Sequence, residues 1–188
     1  GLNAFYREQM QAFLKDPQGT GHQALIDYQA SLPGTRANQG SVVYGRMADE
    51  SGNPILPATA VCQALIQQKI HRLLVGHTPM GDFPNPLFSA ERDFLMIAAD
   101  NSYSVLERGS QVLLEKEQSL LRGWSCPVGE QPMQLESRLR LHQEGIIGCK
   151  CEDGSLIKAR LPEGSYLVGK VMAGFRGEER LLVEPCLG

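Results

Sequence analysis

Along the chain, apolar positions change period twice. Over residues 3–15, Tyr6, Met10, Phe13 and Leu14 recur near one face of a helix that Asn3 can cap, and Asp16-Pro17-Gln18-Gly19 stops it. A second short helix is expected over 22–30, carrying Leu25, Ile26 and Tyr28. Residues 33–40 read as a polar loop, and Ser41-Val42-Val43-Tyr44 as a short β-type run. The segment 49–57 is a loop broken by Gly52, Pro54 and Pro57. Residues 58–69 then form a helix whose buried stripe holds Val61, Leu65 and Ile66. Arg72-Leu73-Leu74-Val75-Gly76 is a nearly continuous apolar strand, and Phe94-Leu95-Met96-Ile97-Ala98-Ala99 is a second. Runs of this kind are usually covered on both faces. The segment 80–86 between them reads as loop, and 110–115 as a third strand.

The pattern turns to period two near residue 135. Gly123, Pro127, Gly129 and Pro132 mark 122–134 as a linker. Beyond it, Leu135, Leu139 and Leu141 share one strand face. Segments 146–151 and 156–161 flank Glu152-Asp153-Gly154-Ser155, a hairpin signal, and 166–172 and 180–184 add two more strands. The expected organisation is a mixed α/β portion over 1–121, a linker over 122–134 and a small antiparallel β unit over 135–188.

Composition narrows the function classes. The chain has 188 residues, of which 42% are hydrophobic, enough for one substantial core. Its formal net charge is −3, and residues 1–106 carry 7 basic and 9 acidic side chains. Neither half is a polycation, so nucleic-acid and anionic-membrane binding are not expected. No apolar run approaches the roughly 18–20 residues needed to span a bilayer, and the first residues do not form a signal peptide. A cytoplasmic location is therefore expected. Five scattered cysteines, Cys62, Cys126, Cys149, Cys151 and Cys186, read as free thiols in a reducing compartment.

The sharpest chemical feature is His77, placed just past a buried strand in Leu74-Val75-Gly76-His77-Thr78-Pro79. Ligands of open α/β sheets sit at the carboxyl ends of strands. Gly76 permits a close backbone approach to an ion or phosphate, and neutral imidazole ligates zinc, iron or manganese. Asp100-Asn101-Ser102 would open onto the same edge if the two apolar strands are neighbours, where it can orient the histidine through hydrogen bonds. From spacing alone, an ordinary loop histidine is the alternative. Other candidates are weaker. Cys149-x-Cys151 with Cys126 and His142 has poor zinc spacing, and Asp82 and Asp93 read as solvated loop acids. His71 reads as a cation at a helix C-terminus.

The run from Ser41 to Ser104 resembles the C-terminal half of the calcineurin-like metallophosphoesterases, in particular the bacterial-type serine/threonine phosphatase branch called Shewanella-like. The likeness lies in Val43-Tyr44-Gly45-Arg46, the helix around Cys62 and Leu65, Leu73 to Pro79, and Met96-Ile97-Ala98-Ala99-Asp100-Asn101-Ser102. It covers roughly a third of the chain. The resemblance implies the C-terminal part of a metallophosphoesterase-type mixed sheet sandwich, with residues 135–188 as a β appendix. It implies His77 as a metal ligand, Arg46 as a phosphate ligand, and Gly76, Thr78, Asp100 and Asn101 around them. For Arg46 a surface ion pair is the alternative. The implied cofactor is a pair of divalent cations, manganese, iron or zinc, about 3.5–4 Å apart, with a bridging hydroxide attacking phosphorus. The implied substrates are phosphomonoesters, phosphoproteins among them.

The family's Gly-Asp-x-His, Gly-Asp-x-x-Asp-Arg and Gly-Asn-His-Glu segments are absent from these 188 residues. One histidine does not hold a dinuclear centre, because even a catalytic zinc takes about three protein ligands. This chain alone is therefore expected to retain no metal pair and to turn nothing over. The other ligands would come from an N-terminal half or another chain. The alternative is a non-catalytic regulatory or partner-binding domain derived from the phosphatase fold.

Overall fold

The computed structural model describes residues 1–33, 38, 40, 41, 45–76, 78–101, 109–172 and 176–188. The chain packs as two units, Gly1–Arg46 and Met47–Gly188. The described residues are mixed α/β and mostly β, with three helices and three small sheets. None of the helices is long and apolar enough to cross a membrane.

In the first unit, helix α1 (Leu2–Lys15) begins one residue earlier than expected, with Gly1 rather than Asn3 at its N-cap. The Gly1 carbonyl accepts from Ala4 N and Phe5 N, so the backbone takes over the role expected of the Asn3 side chain. The helix ends at Asp16 because Pro17 disfavours helical backbone at the residue before it. Helix α2 (Gln23–Gln29) and its N-cap His22 lie against α1 through two edge-to-face ring contacts, Phe5–Tyr28 at 6.0 Å and Phe13–His22 at 5.1 Å. No residue of either helix is buried.

The second unit is built around a three-stranded sheet. Strand β1 (Arg72–Val75) runs parallel to β3 (Leu95–Ala98), and β2 (Asn85–Phe88) pairs antiparallel with β3 on its other side. Helix α3 (Thr59–Gln67) covers one face, where Cys62, Leu65 and Ile66 meet Leu73, Val75, Leu87, Phe94, Met96 and Leu156. On the opposite face Phe88, Leu95 and Ile97 pack against Leu121, Leu135 and Leu139 and against Ala159, Leu161 and Leu167. The central strand is thus buried on both sides, as its unbroken apolar run implies.

A second sheet follows, β4 (Gln111–Leu114), β5 (Ser119–Ser125) and β6 (Met133–Leu139), antiparallel throughout. Here the structure differs from the expected linker over 122–134, because 122–125 belong to β5 and 133–134 to β6. Gly123 is a packing residue, since a Cβ there would meet Ser110 Oγ at 2.7 Å and Phe83 Cδ2 at 3.4 Å. The true connection is 126–132, turning at Gly129. Strand β2 also departs from the expected loop. Pro86, which lacks an N–H, is accommodated because β2 lies at a sheet edge.

The third sheet, β7 (Leu156–Arg160), β8 (Tyr166–Met172) and β9 (Arg176–Leu182), follows the expected hairpin signal. Gly154 takes φ +81°, and Asp153 Oδ1 accepts from Ser155 N at 3.0 Å. The arm before this turn is only a pair of bridging residues, Lys150 opposite Leu156 and Cys151 opposite Leu187.

Cations join the layers by donating to loop carbonyls. The Arg72 guanidinium reaches the β4–β5 turn, bonding the carbonyls of Glu115, Lys116 and Gln118. Arg92 stacks 3.8 Å from the Phe88 ring centroid and donates to the carbonyls of Gly145 and Ile147.

Candidate functional site

The parallel pairing of β1 and β3 places their carboxyl ends side by side. Val75 lies opposite Ala98, and Ala99 N donates to Val75 O at 2.9 Å. The next residues out are Gly76 and Asp100. A Cβ on Gly76 would meet Asp100 Oδ1 at 2.9 Å, so glycine here makes room for that carboxylate. Asn101 Nδ2 donates to Ser110 Oγ at 3.2 Å, and Ser110 Oγ donates to Asp82 O at 3.3 Å. The segment after β3 is thereby tied to the loop after β1. Thr78 is half-buried in that loop.

The structure therefore brings Gly76, Asp100 and Asn101 together with the β1–β2 loop. His77, Val43, Tyr44 and Ser102 lie outside the described residues. Arg46 closes the first unit and is half-buried.

The loop after β1 rests on a buried ion pair that the sequence reading did not find. Lys158 Nζ lies 2.5 Å from Glu179 Oε1, with the two side chains 0% and 3% exposed. Lys158 Nζ also donates to Met80 O and Phe83 O, each at 3.1 Å. Glu179 Oε1 accepts from Phe83 N at 2.9 Å, and Oε2 accepts from Ser125 Oγ at 2.5 Å. Every donor of the ammonium is used and both carboxylate oxygens are occupied, as burial of two charges requires. The network joins the β1–β2 loop to β5, β7 and β9.

Local backbone geometry explains how a lysine reaches this position. The β7–β8 register shifts between Ile157 and Ala159, leaving Lys158 as the extra residue of a bulge. Bulges re-aim side chains. Gly169 clears space along the lysine arm, for a Cβ there would lie 2.8 Å from Nζ and closer still to Cε. Gly81 does the same at the charged ends, with Glu179 Oε1 at 2.7 Å and φ at +113°. A sequence signal existed: a lysine between Ile157 and Ala159 breaks the apolar run of a strand.

Among the described residues there is no group of three or more His, Cys, Asp or Glu arranged to hold a metal. Asp100 and His77 together fall short of the donor set that two metals need. Burial pushes the Cys62 and Cys151 thiols up, each further raised by a nearby aspartate, Asp93 and Asp153. That disfavours the thiolate that metals bind. His71 lies four residues past the end of α3 at Gln67, and its Nδ1 lies 3.0 Å from Asp93 O. Asp93 in turn accepts from Ser89 Oγ at 2.6 Å within the β2–β3 hairpin.

No protein-family model, no curated protein and no solved structure matches this chain.

Proposed function

We propose that this chain is the C-terminal part of a calcineurin-like metallophosphoesterase, hydrolysing phosphomonoesters, phosphoproteins among them. His77 contributes the last protein ligand to a centre of two divalent cations, manganese, iron or zinc. The observation that carries the reading is the parallel β1–β3 pair, whose carboxyl ends bring Gly76 and Asp100 close together. This is where open α/β sheets gather ligands. Asp100 and Asn101 orient the segment, Gly76 allows close approach, and Thr78 continues the ligand loop. Arg46 binds phosphate oxygens through its planar fork. His77, together with ligands from outside this chain, would hold the metal pair, which would supply the nucleophile for phosphoester hydrolysis.

The remaining ligands belong to residues outside this chain. The outer edge of β1 supports this. Among the described residues no strand pairs there, and Leu74 is 49% exposed. An unpaired strand edge is a template for pairing with another strand, so a further strand fits beside β1.

The test uses the product of the complete reading frame, assayed with p-nitrophenyl phosphate and manganese, beside its His77→Ala variant. Turnover should fall at least about hundredfold, since losing even an outer partner of a metal ligand costs about 10–100-fold. An unchanged rate would sink the assignment. A complete product that binds no metal and turns nothing over points instead to a regulatory or partner-binding domain.

A further inference from the structure

We propose that Lys158 and Glu179 act as a latch on the β1–β2 loop, positioning the segment that leaves the candidate site. Among the described residues, 78–84 form no backbone–backbone hydrogen bond outside the strands. The carbonyls of Met80 and Phe83 and the N–H of Phe83 are held by these two side chains. Both come from the third sheet, more than seventy residues further along the chain. Met80 and Phe83 lie three and six residues beyond His77, so the latch sets the path on which the chain leaves β1.

The construction is costly for a structural filler. A buried ion pair is often no better for stability than apolar side chains of similar volume, because desolvation offsets the attraction. This one also requires a bulge at Lys158 and glycines at 81 and 169. A third glycine, Gly177 in β9, lets the backbone of Met80 and Gly81 pass directly against the strand. What the pair supplies that two apolar residues would not is a set of directional bonds to one loop. Ser125 Oγ, donating to Glu179 Oε2, extends the same grip to β5.

The experiment is residue-resolved hydrogen exchange on the chain and on K158M/E179L, which fills the site with apolar volume and leaves neither charge unpaired. Among the loop amides, that of Phe83, bonded to Glu179 Oε1, should exchange at least about tenfold faster in the variant. Those of Met96, Leu121 and Val168, in the three central strands, should keep their protection. A purely structural role would move all these amides together, and that result overturns the latch. Should the variant not fold, the unmodified chain still decides. Phe83 N–H must exchange as slowly as the central strands, and exchange as fast as an exposed turn refutes the proposal.

The bearing on metal binding rests on the function proposed above. In the complete protein, K158M/E179L should weaken manganese binding about 10–100-fold. If the complete protein binds no manganese while the Phe83 amide still responds, the phosphatase reading fails and the latch stands. If manganese binds and the Phe83 amide does not respond, the latch fails.

Discussion

Gly169→Ala isolates how tightly the buried lysine is held. Glycine at 169 is not required by backbone conformation, because only Gly52, Gly81, Gly129, Gly145, Gly148, Gly154 and Gly164 take positive φ among the described glycines. At an ordinary φ, replacing glycine with alanine normally stabilises by about 0.4–1 kcal/mol, through a less disordered unfolded chain. Here the new methyl would lie 2.8 Å from Lys158 Nζ and 3.3 Å from Cδ, well inside contact distance. The lysine has little freedom to yield, with its ammonium bonded at 3.1 Å to Met80 O and Phe83 O and at 2.5 Å to Glu179. Overpacking a filled core costs about 1–3 kcal/mol, so the sign should reverse and the variant should be destabilised. In the background K158A/E179Q the obstructing arm and both charges are gone, and the same change should be neutral or stabilising. Equilibrium urea unfolding of the four proteins closes the cycle. A coupling of about 2 kcal/mol appears as a midpoint difference of about 1 M at a slope of about 2 kcal/mol/M. An equal cost in both backgrounds would refute the reasoning, because Gly169 would then be needed for something other than the lysine.

Gly177→Ala should cost more than Gly169→Ala. Its methyl would run into the backbone of Met80 and Gly81 rather than a side chain, and the comparison is again urea unfolding. Arg72→Ala should cost about 1–2 kcal/mol, through loss of the bonds to the β4–β5 turn carbonyls, and hydrogen exchange should quicken at the turn first. Asp153 is held below the usual carboxylate range, first by the Ser155 N–H, then by the Ser155 hydroxyl and Arg180. Its folded form therefore contributes stability above the ordinary aspartate range, and this is lost as pH falls through the depressed value. Asp153→Asn should lower the thermal midpoint at neutral pH, and the gap to the unmodified protein should close in acid. A gap that widens in acid would contradict the assignment.

Sequence patterning revealed elements wherever one physical signal dominated. The run 94–99 is apolar because β3 is covered on both faces, and the hairpin at 152–155 is marked by Gly154 and Asp153. Strand β2 was hidden by Pro86, which reads as loop and is tolerated at a sheet edge. Strand β5 was hidden by Gly123, which reads as a breaker but is small because Ser110 and Phe83 press on it. Closeness of Gly76 and Asp100 depended on whether β1 and β3 are neighbours, and that is a long-range pairing. The Lys158–Glu179 pair shows the limit most clearly. A lysine inside an apolar strand is visible in one sequence, but its partner in another strand and its grip on a distant loop exist only after folding.

The central claim, that His77 is a metal ligand, is tested most directly by anomalous diffraction at the manganese, iron and zinc edges on crystals of the complete protein. The account predicts two peaks about 3.5–4 Å apart, one of them about 2.0–2.2 Å from an imidazole nitrogen of His77. A metal pair bound elsewhere, with His77 outside its coordination shell, would contradict it.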